Sequence, residues 1–313
     1  MFDFSIIIAV KNKEKYITKT LLSCINQDID PDKFEVIIVN DFSKDKTFNK
    51  IKKFKKQKLN IKIINNKRSY GPGIARNIAL SKSNGKYVVF LDGDDELKKN
   101  CLITLYRYMK NNPDLIIFNF DKIKNREEFF GLRKDYSKIN LNRNIMIKNF
   151  LRGEIDGSVI FTCFNKSFLI KNSIQFPKGL HEDITYIFQS YFHAKKIVKI
   201  KKSLYKKNEV SNSITGTLSK KRIEGLLNIH KKLIAFLIKK KKYFKRSKED
   251  VFRGFVGCAI DTVCEIKDSK LLSKKEKYFF YNLINRKISG FPIPKSYIYR
   301  TKKDIMFKNY CNL

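Results

Sequence analysis

Short apolar runs alternate with amphipathic stretches along the first part of this 313-residue chain. The runs are rich in β-branched and aromatic residues, which is typical of buried strands. Strands are predicted over residues 4–10, 34–39, 61–64, 86–91 and 114–118. Between them, apolar residues recur at helical spacing. Helices are predicted over residues 14–27, 45–56, 74–83 and 97–111. This alternation predicts an α/β fold, a mostly parallel sheet with helices on both faces.

The alternation lapses over residues 121–142, a charged segment for which we predict a loop or a mobile flap. Further short elements follow it. They are a helix over 144–151, a strand over 159–163, a helix that starts near Glu182, and a strand over 197–200 that residues 204–206 continue. Basic helical patterns then cover 222–238, 249–266 and 274–288, before a turn at 290–294 and a basic tail. We expect one domain over 1–215 and a basic helical appendage over 216–313.

An acidic cluster follows the strand predicted over 86–91. Asp92, Asp94 and Asp95 crowd within four positions, and Gly93 allows a tight bend. Crowded carboxylates repel one another, and a hard divalent cation with oxygen ligands removes that cost. Mg²⁺ often binds through one or two carboxylates and completes its shell with substrate phosphates. The alternative is a solvated acidic turn.

Polar residues also follow the first two strands, Lys11 and Asn12 after one and Asp41 and Ser43 after the other. Ligands of parallel α/β sheets bind beyond the carboxyl ends of the strands. We therefore expect these residues and the acidic cluster to converge on one crevice, where a nucleotide and its metal would bind.

A second acidic pair, Glu182 and Asp183, stands at the start of a predicted helix. Acids favour a helix N-terminus for electrostatic reasons, so capping alone would explain them. The neighbouring His181 could contact a phosphate or a metal, or it could be a local hydrogen-bonding residue. The sequence alone leaves open whether the two acids only cap the helix and whether His181 contacts a ligand.

The charge balance is unusual, with 67 Lys and Arg against 30 Asp and Glu, a net charge of +37. Such a field attracts phosphate, nucleic acid or an anionic membrane. An AT-rich coding bias is an alternative source of the lysines. No apolar run approaches the roughly 18 residues of a transmembrane helix. The first apolar stretch lacks the basic flank of a signal peptide, and the scattered cysteines lack CxxC pairs, so we expect a cytoplasmic protein with reduced thiols.

Several motifs resemble the family 2 glycosyltransferases of the GT-A fold, over about residues 4–215. They are SIIIAVKN, VIIVNDFSKDKT, GPGIARNIAL with GKYVVFLDGDDEL, HEDITY and SLYKKNEVSNSIT. The similarity extends to bacterial galactosyl- and N-acetylhexosaminyltransferases of capsule and lipooligosaccharide assembly. It implies a metal-dependent, inverting transfer from a nucleotide sugar, usually a UDP-sugar, to a hydroxyl of a growing surface glycan.

The resemblance also implies that Ala9, Asp41, Arg76, Asn77 and Asp92 bind the nucleotide sugar. Lys11 and Asn12, from the end of the first strand, and Gly93, from the acidic turn, are predicted to bind it as well. Asp41 should accept a hydrogen bond from N3 of uracil, and Asp92 should lie near the ribose. Ala9, Asn40 and Phe42 depart from the family, which commonly has Pro, an acid and Gly at these positions.

The remaining roles implied by the resemblance concern the metal and the base. Asp94, with Asp92 or Asp95, should hold Mn²⁺ or Mg²⁺, which stabilises the charge on the leaving diphosphate. Asp183 should be the catalytic base, with Glu182 orienting the acceptor or capping the helix. Because an unperturbed Asp titrates near pH 4, we expect Asp183 to be ionised at neutral pH.

Two other classes of protein are compatible with parts of the sequence. The charge and the many aromatic residues suggest nucleic-acid binding, but no nucleic-acid module is recognisable, so we expect none. A catalytically idle assembly partner at a membrane is the second alternative, and retention of Asp41, Asp92, Asp94 and Asp183 together argues against it. The expected partners are a nucleotide-sugar donor, a glycan or lipid-linked glycan acceptor, and the anionic inner face of the cell membrane.

Overall fold

The computed structural model describes most of the chain. The described residues are 2–56, 59–124, 127–131, 141–151, 155, 157–209, 219–240, 250, 266, 269 and 272–288. The chain divides into two compact units, one of residues 1–143 and 157–211 and the other of residues 144–156 and 212–313. The expected domain boundary near residue 215 stays a prediction.

A sheet of nine strands, counted over the described residues, forms the first unit. The strands are β1 (Phe4–Val10), β2 (Phe34–Asn40), β3 (Asn60–Asn65), β4 (Tyr87–Asp92), β5 (Glu96–Leu97), β6 (Leu115–Lys124), β7 (Glu127–Gly131), β8 (Thr162–Asn165) and β9 (Ile197–Asn208). Their order is β3-β2-β1-β4-β8-β6-β9-β5, and β7 pairs with β6. Strands β1 to β4 pair in parallel, as do β6 and β9, whereas β8 is antiparallel to both its neighbours. The predicted mostly parallel sheet is confirmed.

Helices follow the strands as the apolar spacing predicts. They are α1 (Ile17–Ile25), α2 (Thr47–Lys53), α3 (Pro72–Ser81), α4 (Cys101–Tyr108), α5 (Arg143–Leu151), α6 (Lys166–Lys171), α7 (Glu182–His193), α8 (Lys220–Lys239) and α9 (Lys274–Ile288). All seven residues of β2 are buried, so both faces of the sheet are covered there. Helix α3 starts with Pro72, at a position where the missing N–H has no helical partner to lose.

The core of the sheet contains a polar network away from the carboxyl ends of the strands. Glu35 is fully buried and accepts hydrogen bonds from Ser5 Oγ at 2.7 Å and from Lys62 Nζ at 2.7 Å. A buried carboxylate is tolerated because it is paired and hydrogen-bonded. This network joins β1, β2 and β3.

The loop predicted over 121–142 is wrong for its first part. β6 continues to Lys124, and residues 127–131 form β7, antiparallel to it. The physical reason is pairing with a distant strand, because β9 supplies backbone partners to residues 120–123. Asp121 is buried and forms an ion pair with Lys98. Residues 125–126 and 132–140 lie outside the described part of the chain.

Smaller differences occur at the ends of elements. Leu97 belongs to the short strand β5 instead of the following helix, and residues 159–161 form one 3₁₀ turn before β8. The strand predicted over 197–200 and continued over 204–206 is β9, which also includes residues 201–203 and ends at Asn208. The predicted helix over 249–266 and the turn at 290–294 lie outside the described residues, apart from isolated positions. Among the helices given above, none combines the length and the hydrophobicity needed for a membrane crossing.

Candidate active site

The carboxyl ends of β1, β2 and β4 lie side by side at one edge of the sheet. Val10 is in register with Asn40 of β2, and Ala9 is in register with Asp92 of β4. The residues that follow these strands therefore start from the same level. The predicted convergence of the polar strand ends is confirmed by this register.

Arg76 joins the two acidic groups that the sequence separates by about ninety residues. Its Nη1 donates to Glu182 Oε1 at 2.8 Å and to Asp183 Oδ1 at 2.8 Å, while its Nη2 donates to Asp92 Oδ1 at 2.9 Å. Its side chain is only 7% exposed. Burial alone would lower the pKa of Arg76, but Asp183, Asp92 and Glu182 together raise it above its ordinary value. A fully charged guanidinium therefore ties the end of β4 to the start of α7.

Gly73 permits this arrangement by its lack of a side chain. A Cβ at this position would lie 2.7 Å from Cγ of Glu182 and 3.0 Å from Cβ of Phe176. Helix α3 therefore approaches the start of α7 closely enough for Arg76 to reach both acids.

The two acids of the second pair differ in their environments. The side chain of Glu182 is 7% exposed and that of Asp183 is 24% exposed, so Asp183 is the more accessible to a substrate. Burial raises the pKa of Asp183, and the positive charge of Arg76 opposes this rise. The negative charges of Glu182 and Asp92 raise the pKa further, to about 7. This upward shift runs against the expectation that Asp183 is ionised at neutral pH without tuning, and that expectation stays a prediction. The reason for the shift is burial next to two other carboxylates.

The three carboxylates of the acidic turn have three different partners. Asp92 bonds Arg76, and Asp94 forms an ion pair with Lys13. Asp95 accepts from Tyr205 Oη at 2.7 Å and from the backbone N–H of Asn208 at 2.8 Å, which ties the turn to β9. Burial and the charges of Asp92 and Asp94 raise the pKa of Asp95 to about 8.

Gly93 is predicted to form a bend and to contact the nucleotide-sugar donor. The structure also gives it a steric role. A Cβ there would lie 2.5 Å from Cγ2 of Val10, so only glycine lets the acidic turn pass this close to β1. Thr20 of α1 also donates to the carbonyl of Gly93 at 3.1 Å.

The acidic turn fits a cation bound through few protein ligands. No group of three His, Cys, Asp or Glu side chains suited to a metal occurs among the described residues. Burial, and after it the charge of the neighbouring Asp92, raises the pKa of Asp94, although Lys13 opposes the shift. A cation is favoured there, and the ammonium of Lys13 already supplies one. Asp94 and Asp92 suit a metal that takes its remaining ligands from phosphates.

Asp41 organises the loop that precedes α3. Its carboxylate accepts from Asn66 Nδ2 at 2.9 Å, from Ser69 Oγ at 2.7 Å, and from the N–H groups of Tyr70 and Gly71 at 2.9 Å. Burial would raise the pKa of Asp41, but these four hydrogen bonds outweigh it and lower the pKa. The hydrogen bond from uracil to Asp41 stays a prediction. In the structure Asp41 also holds this loop in place.

Other residues that are predicted to contact the nucleotide-sugar donor lie around this loop. Lys11 Nζ donates to Ser69 Oγ at 3.0 Å, which places it beside Asp41. Asn12 adopts a positive φ of 52° and accepts from the N–H of Lys44 at 2.8 Å. Asn77 differs, because its side-chain amide makes two hydrogen bonds with the backbone of Phe176, at 2.9 and 3.0 Å. Asn77 therefore fastens that segment to α3.

Residues that the sequence analysis did not select complete the site. Lys13 pairs with Asp94, and Tyr205 reaches both Asp95 and the N–H of Asp92, at 3.2 Å for the latter. Tyr205 lies in SLYKKN, part of a motif that carries the resemblance, and this motif could have marked it as a candidate site residue. Nothing in the sequence pattern distinguishes Lys13 from the neighbouring lysines.

His181 precedes α7 in a left-handed conformation, with φ 59°. It makes no side-chain capping bond to that helix, whereas Glu182 and Asp183 occupy its first turn. The capping alternative therefore accounts for the position of the two acids at the helix start, but it does not account for their shared bond to Arg76.

Acidic groups gather beyond the carboxyl ends of parallel strands in this α/β fold, where sheets of this kind bind their ligands. Residues 5–175, more than half of the chain, match Glycosyl transferase family 2, and the chain belongs to that family. The resemblance seen in the motifs is thus confirmed.

Curated relatives include transferases named for poly(ribitol phosphate). The chain is 29% identical over 209 residues to the poly(ribitol-phosphate) beta-N-acetylglucosaminyltransferase TarS of Staphylococcus aureus, which covers 66% of this chain and 35% of TarS. It is 31% identical over 202 residues to the poly(ribitol-phosphate) beta-glucosyltransferase of Bacillus spizizenii, which covers 62% of this chain and 30% of that one. The chain thus spans about a third of the length of these relatives.

Solved structures show the same fold. The crystal structure of S. aureus TarS 1–349 in complex with UDP-GlcNAc matches with a TM-score of 0.71 and 22% identity, over 93% of this chain and 82% of that chain. The mannosyltransferase PcManGT from Pyrobaculum calidifontis, in complex with GDP-Man and Mn²⁺, matches with a TM-score of 0.54 and 13% identity, over 99% of this chain and 86% of that chain. The fold of this chain is GT-A.

Proposed function

We propose that this chain transfers a sugar from a UDP-sugar to a hydroxyl group of a surface glycan, with inversion at the anomeric carbon. The observation that carries the proposal is the buried Arg76, which holds Asp92 of the donor edge and Asp183 of α7 within one hydrogen-bonded cluster. A donor and an acceptor held on opposite sides of this cluster would be aligned for a single displacement. Membership of family 2 supports the reaction, and the UDP-GlcNAc complex of TarS supports the donor class.

The displacement assigns one task to each acid. The acceptor oxygen forms a bond to the anomeric carbon while the bond from that carbon to the diphosphate oxygen breaks. Asp183 takes the proton of the acceptor hydroxyl, and its accessible position and pKa of about 7 suit a general base. Arg76 orients the Asp183 carboxylate, and Glu182 completes the support from the buried side.

Asp94 and Asp92 would hold Mn²⁺ or Mg²⁺ together with the diphosphate, while Asp95 stays bonded to β9. The metal supplies positive charge that stabilises the leaving diphosphate. With a metal bound, the ammonium of Lys13, which pairs with Asp94 in the structure, would be available to contact a phosphate. The Mn²⁺ complex of PcManGT supports a metal in this fold.

The acceptor is proposed at the level of a class, a glycan or lipid-linked glycan of the cell surface. The names of TarS and of the Bacillus enzyme specify poly(ribitol phosphate), a polyanion, whereas the motifs resemble enzymes of capsule and lipooligosaccharide assembly. The net charge of +37 suits a polyanionic acceptor and also an anionic membrane at the cytoplasmic face.

The test is a panel of UDP-sugars with Mn²⁺ or with EDTA, read as released UDP and as product mass with candidate acceptors. We expect one UDP-sugar to be consumed with the metal and none with EDTA. UDP binding without turnover of any donor would instead favour the idle assembly partner. Absence of UDP binding, with tight binding of nucleic acid, would favour the nucleic-acid-binding alternative.

A further inference from the structure

Phe42 occupies a backbone conformation that bulky residues avoid. It follows Asp41 directly at the carboxyl end of β2, with φ 62°, in the left-handed region. A positive φ is a genuine outlier for a large side chain, and such residues persist where the surrounding structure determines them. Hydrogen bonds hold the neighbouring turn in place. Ser43 Oγ donates to Asn40 Oδ1 at 2.6 Å and accepts from the N–H of Asn12 at 3.0 Å.

The ring of Phe42 is available for contact at the edge of the crevice. Phe42 is half-buried, and the ammonium of Lys44 lies 3.7 Å from the centroid of its ring. Lys44 is exposed, so one face of the ring meets a flexible side chain and not the core. An exposed cation over a ring is easily exchanged for another partner, because such contacts at exposed sites contribute little.

A second aromatic residue flanks the same carboxylate. The N–H of Tyr70 donates to Asp41 Oδ1 at 2.9 Å, and its side chain is 39% exposed, with the guanidinium of Arg68 lying 5.0 Å from its ring. Asp41 therefore has one aromatic residue next to it in sequence and another bonded through its backbone. Aromatic rings with cations beside a polar crevice match a ligand that combines a planar ring with negative charge.

We propose that Phe42 is the stacking platform for the nucleobase of the donor, an inference that rests on the proposed function. The base would lie against the ring face that Lys44 covers, and Lys44 would move towards the ribose and diphosphate. The strained backbone of Phe42 is then explained, because it brings an aromatic side chain to a position where the backbone favours glycine.

The chain contains no Trp, which allows a direct test. In the full chain carrying Phe42→Trp, fluorescence reports on that position alone. We expect UDP with Mn²⁺ to quench the emission, and inorganic pyrophosphate with Mn²⁺ to leave it unchanged, because only UDP brings a base to stack. Tyr106→Trp, at an exposed position of α4, is the matched control and should respond to neither ligand.

Affinity measurements on Phe42→Gly and Phe42→Tyr separate stacking from a structural role. Glycine suits the positive φ, so the unfolding midpoint should not fall, whereas the Kd for UDP should rise about tenfold, in line with the loss of one base–aromatic stack. Phe42→Tyr should keep the wild-type Kd, and pyrophosphate should bind all three proteins equally.

The outcomes distinguish failure of this inference from failure of the proposed function. Unchanged UDP affinity in Phe42→Gly, or equal quenching by UDP and pyrophosphate, would overturn the stacking role while the wild-type chain still binds UDP. Absence of UDP binding by the wild-type chain would overturn the proposed function, and the stacking role with it.

Discussion

At the scale of single residues, Arg76 decides the geometry of the site. It is buried and forms ion pairs with three carboxylates, those of Asp92, Glu182 and Asp183. The sequence identified all four residues as candidates, because each stands in a motif. It could not show that they form one cluster, since that depends on how closely α3 approaches α7.

Replacing Arg76 with Met tests the cluster. Breaking a buried ion pair by removing one partner costs about 3–5 kcal/mol, because the remaining carboxylates lose their compensation. We expect a fall of that size in the free energy of unfolding, measured with urea at neutral pH. Arg107→Met, at an exposed position of α4, should change it by less than about 0.5 kcal/mol. A change in Arg76→Met as small as that of the control would show that the pairing contributes nothing.

The pH dependence of transfer tests the environment of Asp183. Its pKa of about 7 means that the base is protonated in acid and becomes competent as the pH rises through that value. We expect kcat/KM to increase about tenfold per pH unit below neutrality and to level off above it, as measured for the free enzyme's essential base. A rate already constant from about pH 5 upward would indicate an ordinary Asp and would contradict the burial argument.

At the scale of elements, the sequence predicts strands β1, β2 and β4 well, because each is a mostly apolar run that is almost entirely buried. It also predicts β3, which lies at the edge of the sheet and is only partly buried. It misses β7, which pairs antiparallel with β6, and it misses the second half of β6, whose residues 120–123 pair with β9, far along the chain. Such pairing leaves no local signal. Likewise, Gly73 and Gly93 appear in motifs, but only the packing shows which atoms their missing side chains would meet.

Gly73→Ala tests the contact between α3 and α7. Its Cβ would lie 2.7 Å from Cγ of Glu182, so the two helix starts must separate. Overpacking of this kind costs about 1–3 kcal/mol. We expect a lower free energy of unfolding together with slower transfer, because the Arg76 bonds to Glu182 and Asp183 lengthen. Ser81→Ala, exposed on the same helix, is the control and should leave both measurements unchanged.

At the scale of the whole molecule, the charge of +37 is the property that the fold does not explain. Each Lys or Arg near an anionic membrane contributes about 1 kcal/mol to binding. We expect the full chain to sediment with anionic vesicles at low salt, to lose that binding steeply as salt rises, and to stay in solution with neutral vesicles. Equal sedimentation with both kinds of vesicle would instead favour a coding bias as the origin of the lysines.

The most direct test of the central claim is the rate of UDP release from the active UDP-sugar by Asp183→Asn, beside a UDP titration of the same protein. The variant keeps the shape of the side chain and removes its capacity to accept a proton. We predict that transfer falls by about 10²-fold or more, the usual scale of general-base catalysis, while UDP binds as in the wild type. Glu182→Gln should be milder, because Glu182 supports the cluster from its buried side. Near-full transfer by Asp183→Asn would contradict the account and place the base elsewhere.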